Sequence, residues 1–184
     1  APSFNQGVVR GFPGGGLHPS GLMASGKLLE DAKRAFGLGD DQRALALAAR
    51  ALDINPGNAA AHNLLAMIYA RMRDYTMSIA AARAGLALAP RNVELLDIKA
   101  FAENRAKRYK DALAAANGAI EVDPRNALAY ANRAHARGGL GDRDGMLSDI
   151  NRAARLDPRF ERAAEGAAML QLPSDEDILF LFQG

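Results

Sequence analysis

A chain of 184 residues with 49% hydrophobic and 24% charged side chains has the composition of a folded domain able to bury a core, which sets aside a disordered chain. Lys and Arg exceed Asp and Glu by only two, so no basic field marks a nucleic-acid or anionic-lipid partner. With no cysteine there is no disulfide, thiolate nucleophile or thiolate-held metal, and no apolar run approaches the roughly 20 residues of a membrane helix. A cysteine-free chain suits a reducing cytoplasm or an exported bacterial protein such as a periplasmic one; the start at Ala1-Pro2-Ser3 without Met leans to the second.

Residues 1–21 concentrate Gly and Pro without helical period and are expected to be a flexible leader. The domain proper is expected over 22–172. From Ser20 or Ser25 to Phe36, Leu28, Ala32, Ala35 and Phe36 fall at helical spacing, and Gly37 and Gly39 stop the run. Asp40 or Asp41 caps a second helix, whose apolar face carries Leu45, Ala48, Ala51 and Leu52 until Asn55-Pro56 ends it. That unit then recurs. Pro56, Pro90, Pro124 and Pro158 lie 34 residues apart, and the first three open a Pro-x-Asn turn closed by Asn58, Asn92 and Asn126. Pro stops one helix, and two residues later the Asn side chain caps the next. Phe160 departs from this pattern after Pro158.

In phase, the repeats are 25–58, 59–92, 93–126 and 127–160. Small residues return at fixed places, Ala32, Ala66, Ala100 and Ala134 in one column and Ala51, Gly85, Ala119 and Ala153 in another, as close helix crossings require. The fourth repeat, with Gly138, Gly139, Gly141 and Gly145 around its turn, is expected to be the most mobile. A capping helix is expected over 161–171, ended by Pro173. The tail 173–184 joins a capping-box start at Ser174 to Ile178, Leu179, Phe180, Leu181 and Phe182. Such a run calls for cover, either from the last helix or from a neighbouring copy's groove.

His62, Leu65, Ala66, Tyr69, Ser78, Ala82 and Pro90 fill the columns by which the chain resembles the tetratricopeptide repeat family. The resemblance implies an all-α, right-handed superhelical solenoid of about four helix pairs plus a C-terminal capping helix, with the first helix of each pair lining the concave side. In that phase the groove collects Leu29, Lys33 and Phe36, then Asn63, Leu64, Met67 and Arg71, then Asp97, Ile98, Phe101 and Arg105, and lastly Leu128, Asn132 and His135. Family members that clamp acidic chaperone tails use Lys, Asn, Asn, Lys and Arg. Here Asn132 and Arg162 match, but Asp97, Phe101 and Gly166 stand where a Lys, an Asn and an Arg would be, so an acidic ligand would meet an acid. The remaining pattern is an apolar floor of Leu64, Met67, Ile98 and Phe101, with Asn63 and Asn132 placed to hydrogen-bond an extended backbone. The alternative is that this stripe packs between neighbouring helices.

Chemistry has no visible candidate. Gly21 to Lys27 matches Gly-x4-Gly-Lys of a phosphate loop, but Leu28 replaces the metal-binding hydroxyl and no strand precedes it. His18, His62 and His135 show neither metal-ligand spacing nor a triad order, and His62 stands in a packing column. No cofactor, metal or nucleic acid is therefore expected. The expected function is a non-catalytic protein or peptide adaptor. Two other readings stay open: a self-assembling module whose tail Ile178 to Phe182 docks in another copy, forming a homo-oligomer, and a regulatory domain of a larger enzyme or envelope protein.

Overall fold

In the computed structural model, which describes residues 18–169, the chain forms nine α-helices and one 3-10 turn, with no strand among the described residues. The helices are α1 (Pro19–Gly37), α2 (Asp41–Ile54), α3 (Ala59–Arg71), α4 (Tyr75–Leu88), α5 (Val93–Arg105), α6 (Tyr109–Val122), α7 (Ala127–Gly139), α8 (Arg143–Leu156) and α9 (Glu161–Met169). They pack as successive pairs, α1 on α2 through α7 on α8, and each pair rests on the next; α9 lies on α8. The architecture is an all-α solenoid. Most of the expected leader and the apolar tail lie outside the described residues.

The caps explain where each helix begins. Asn58, Asn92 and Asn126 accept hydrogen bonds from the amides of Ala61, Leu95 and Ala129. On the second helices, Asp40, Asp74 and Asp142 accept from the amides of Arg43, Met77 and Gly145. Each satisfies an amide that the first turn leaves without a partner. The helix α1 starts earlier than expected because Pro19 sits in its first turn and the His18 ring accepts from the Ser20 amide at 3.4 Å. That start places Gly21 to Lys27 inside α1, where consecutive amides are spent on the helix and form no phosphate loop. After Pro158, Asp157 accepts from the Arg159 amide at 3.0 Å and a 3-10 turn, Pro158–Phe160, delivers the chain into α9 in place of the missing Asn.

The helix α6 breaks the series, since Arg108 occupies its cap position and no side chain accepts there. We expect Arg108→Asn to raise stability by about 1 kcal/mol, the worth of a good cap, less a few tenths for the exposed Arg108–Asp111 pair it removes. Thermal unfolding followed by circular dichroism should show a midpoint about 2–4 °C higher. An unchanged midpoint would mean that water already serves these amides as well as a side chain would.

The small-residue columns form the seams of the pairs. Ala32, Ala66 and Ala100 have no exposed surface and Ala134 retains 3%, and Ala51, Ala119 and Ala153 are likewise fully enclosed. At Gly85 a Cβ would approach the Leu95 methyl carbons to 2.8 and 2.9 Å and the His62 Cβ to 3.1 Å, so the close crossing requires its absence. Core chemistry changes along the array. Around α1–α3 it is aliphatic, with Leu29, Leu64 and Ile68 packed among alanines. Further on, buried ion pairs join the apolar contacts. The half-buried Lys99 pairs with the buried Glu103 at 2.8 Å, and the buried Asp149 pairs with Arg133 at 2.7 Å and Arg137 at 2.9 Å. This ion cluster, with Ile150 and Met146 beside Ala134, closes the fourth pair.

Candidate functional site

The helices α3, α5 and α7 lie side by side, each touching the next, along one face of the array. Residues on this face come from columns 34 apart, so Asn63 aligns with Asp97 and Met67 with Phe101. Together with Glu94, Ile98 and Leu128 they line a groove of about 470 Å³. Its apolar side chains remain wet: Met67 is 39% exposed, Phe101 39% and Leu128 46%. Tyr75 meets the Phe101 ring edge to face, with centroids 6.4 Å apart, which fixes the ring's orientation over the groove.

The polar residues of the groove are short of partners. The Asn63 amide donates to Glu94 Oε2 at 2.7 Å, and Asn126 donates to Asp97 Oδ2 at 2.6 Å. Asn63 Oδ1 and Asp97 Oδ1 are buried and accept nothing among the described residues. Burial pushes the Asp97 carboxyl up to about 6; the Asn126 hydrogen bond opposes this, and the charges of Asp123 and Glu94 add to it.

This carboxyl makes stability depend on pH in an unusual direction. Unfolded, Asp97 ionises near 3.8, and folded it holds its proton to about 6. Between these values the native state binds more protons, so stability falls as pH rises through the window and the full penalty stands above it. We expect Asp97→Asn, which can still accept from Asn126, to be more stable than the wild type at pH 7.5 by on the order of 1–3 kcal/mol, with a smaller difference at pH 4. Urea denaturation at both pH values measures this. A variant less stable than the wild type at pH 7.5 would mean that the charge is stabilised in place.

Of the residues expected on this face, Asn63, Met67, Ile98 and Phe101 line the groove, together with Asp97 and Leu128. Leu29 and Leu64 do not: both are core residues, 6% and 5% exposed, because they pack into the aliphatic cluster shared by α1, α2 and α3. Asn132 is turned inward as well, 6% exposed, its amide donating to the Asp97 carbonyl at 3.2 Å while its own carbonyl accepts from Asn104 at 2.8 Å. Buried in this way, it does not present its side chain to the groove as a clamp Asn would. Lys33 pairs with Glu30 at 2.7 Å. Arg71 stacks 3.6 Å above the Phe36 ring and donates to Asp41 and to the Phe36 carbonyl. One repeat later, Arg105 reaches the Tyr75 hydroxyl at 3.4 Å, so these two arginines tie successive pairs together. At the next position in this column Gly139 leaves room for the Tyr109 ring, which a Cβ would meet at 2.5 Å.

His135 lines a separate cavity of about 370 Å³ with Tyr109, Met146, Ile150 and Ala167. Burial lowers its pKa, and the Arg105 charge lowers it further. Glu94 was not expected in the groove, although it stands three residues before Asp97 and four before Ile98, the spacing that shares a helix face. No group of three or more His, Asp or Glu among the described residues is arranged to hold a metal ion.

The tetratricopeptide repeat profile matches residues 59–92, the span of α3 and α4 with their turns. The structure superposes on TTC0263, a thermophilic TPR protein of Thermus thermophilus, with a TM-score of 0.69 and 22% identity, covering 87% of this chain and 97% of that one. The chain has the fold of a tetratricopeptide-repeat solenoid. Two further solenoids share the fold. MamA from residue 41 onward, of Desulfovibrio magneticus RS-1, superposes with a TM-score of 0.73 at 16% identity, over 85% of this chain and 88% of its own. YrrB, described as a TPR protein with an unusual peptide-binding site, gives 0.66 at 18% identity, over 80% and 78%. No curated protein sequence matches the chain. In none of the described helices is there a stretch long and apolar enough to cross a membrane.

Proposed function

We propose that the chain is a non-catalytic interaction scaffold that holds an extended segment of a protein partner in the groove across α3, α5 and α7. The observation that carries this reading is the clustering of Met67, Phe101 and Leu128, large apolar side chains left exposed around one groove. Met adapts its shape to varied side chains, and a ring pinned by Tyr75 offers a rigid surface, a combination that suits a peptide-binding groove. The peptide-binding site described for YrrB, a solenoid of the same fold, supports the assignment. The four 34-residue units 25–58, 59–92, 93–126 and 127–160 serve in this reading as the frame that sets the groove's length.

The test compares partners retained by the wild type with those retained by a Met67→Ala, Phe101→Ala double variant whose circular dichroism and melting are unchanged. A partner bound by the wild type should bind the variant at least about tenfold more weakly, since two central contact residues are truncated. Partners held equally by both proteins would move the binding surface away from this groove.

A further inference from the structure

We infer that the groove takes a basic and apolar segment, one whose Lys or Arg enters between Asn63 and Asp97 while flanking apolar side chains cover Met67, Phe101 and Leu128. This inference rests on the groove reading above and names the chemistry of its ligand. Asp97 is 8% exposed and lines the groove, yet its Oδ1 has no partner among the described residues, and Asn63 Oδ1 beside it is in the same state. Two enclosed acceptors without a donor form an incomplete hydrogen-bond arrangement, which a ligand carrying N–H groups completes.

The surrounding charge selects a cation. Glu94 on α5 and Asp123 after α6 both act on Asp97 with like charge, while the remaining groups facing it, Asn126 capping α7, Asn132 on α7 and Asn63 on α3, are neutral. None of these three acids forms an ion pair among the described residues. An acidic or neutral segment would leave that repulsion in place, whereas an ammonium or guanidinium relieves it. The aliphatic stem of a Lys or Arg can lie along Ile98 and Phe101 with its head at the carboxylate.

The experiment is selection of randomised heptapeptides displayed on phage against the full-length chain, in parallel with the Met67→Ala, Phe101→Ala variant and with Asp97→Asn. Expected winners on the wild type combine Lys or Arg with large apolar residues and are lost from both variants. A synthetic winner followed by fluorescence anisotropy should bind about tenfold more weakly at pH 5 than at pH 7.5, because protonation of Asp97 leaves about a tenth of the protein competent. That pH dependence should vanish in Asp97→Asn. Winners lacking Lys and Arg, or basic winners that bind Asp97→Asn as tightly as wild type, would overturn the cationic ligand and leave the groove reading standing. No enrichment above the Met67→Ala, Phe101→Ala background would overturn the groove reading and this inference with it.

Discussion

Asp149→Ala should lower the stability of the chain by about 3 kcal/mol, the lower end of the loss seen when one partner of an enclosed ion cluster is removed. Asp149 takes Arg133 in a two-pronged contact, at 2.8 Å to Oδ2 and 2.7 Å to Oδ1, and also accepts from Arg137 at 2.9 Å. These hydrogen bonds hold the Arg133 guanidinium charged more firmly than usual. Truncation leaves two positive groups facing one another with their main acceptor gone, although Arg133 keeps Asn117 and Arg137 keeps the Gly145 carbonyl. The two arginine side chains are 19% and 28% exposed, so water reaches them in part and the loss stays at the low end. Urea denaturation measures the total, and hydrogen exchange should show it concentrated in α7 and α8. Adding Arg133→Met to Asp149→Ala should recover part of the loss by removing a stranded charge. A loss below about 1 kcal/mol would mean the cluster is solvated well enough to be dispensable.

Ala100→Trp should be at least as damaging, above about 3 kcal/mol, with the thermal midpoint falling by about 10 °C. Ala100 has no exposed surface and packs on Ala115 and Ala116, so an indole there must force α5 and α6 apart. Those same helices position Phe101 and Asp97, and the variant should therefore lose partner binding as well. Ala114→Trp, on the exposed side of α6, is the control and should melt close to the wild type. An unchanged melt for Ala100→Trp would show that this column is not the packing seam.

The features legible in the sequence were those fixed by local physics. Pro56, Pro90 and Pro124 stop helices wherever they occur, Asn58, Asn92 and Asn126 cap the helix that comes next, and the fully enclosed Ala32, Ala66 and Ala100 had to be small for two backbones to approach. The groove was only half legible. Column phase aligned Asn63 with Asp97 and Met67 with Phe101, but it could not tell that Leu29, Leu64 and Asn132 are covered, because cover depends on which side chains of the neighbouring helices pack over each position. Glu94 was missed because a charged residue in a first turn reads as a solvated, dipole-compatible position until its Asn63 contact is seen. The unpartnered oxygen of Asp97 is a property of three helices at once, and periodicity carries no record of it.

The ties between successive pairs join residues about one repeat apart or fewer: Arg71 to Asp41 at a separation of 30, Asn63 to Glu94 at 31, Asn132 to the Asp97 carbonyl at 35 and Arg133 to Asn117 at 16. Assembly therefore never waits for a distant part of the chain, since the loop closed by each tie is short and its entropic cost is similar at every step. During synthesis each pair can dock as soon as the following repeat has emerged, so folding can propagate along the array one unit at a time. The aliphatic core of α1–α3 emerges first and offers a packed surface to the later pairs, whose seams combine apolar contacts with ion pairs.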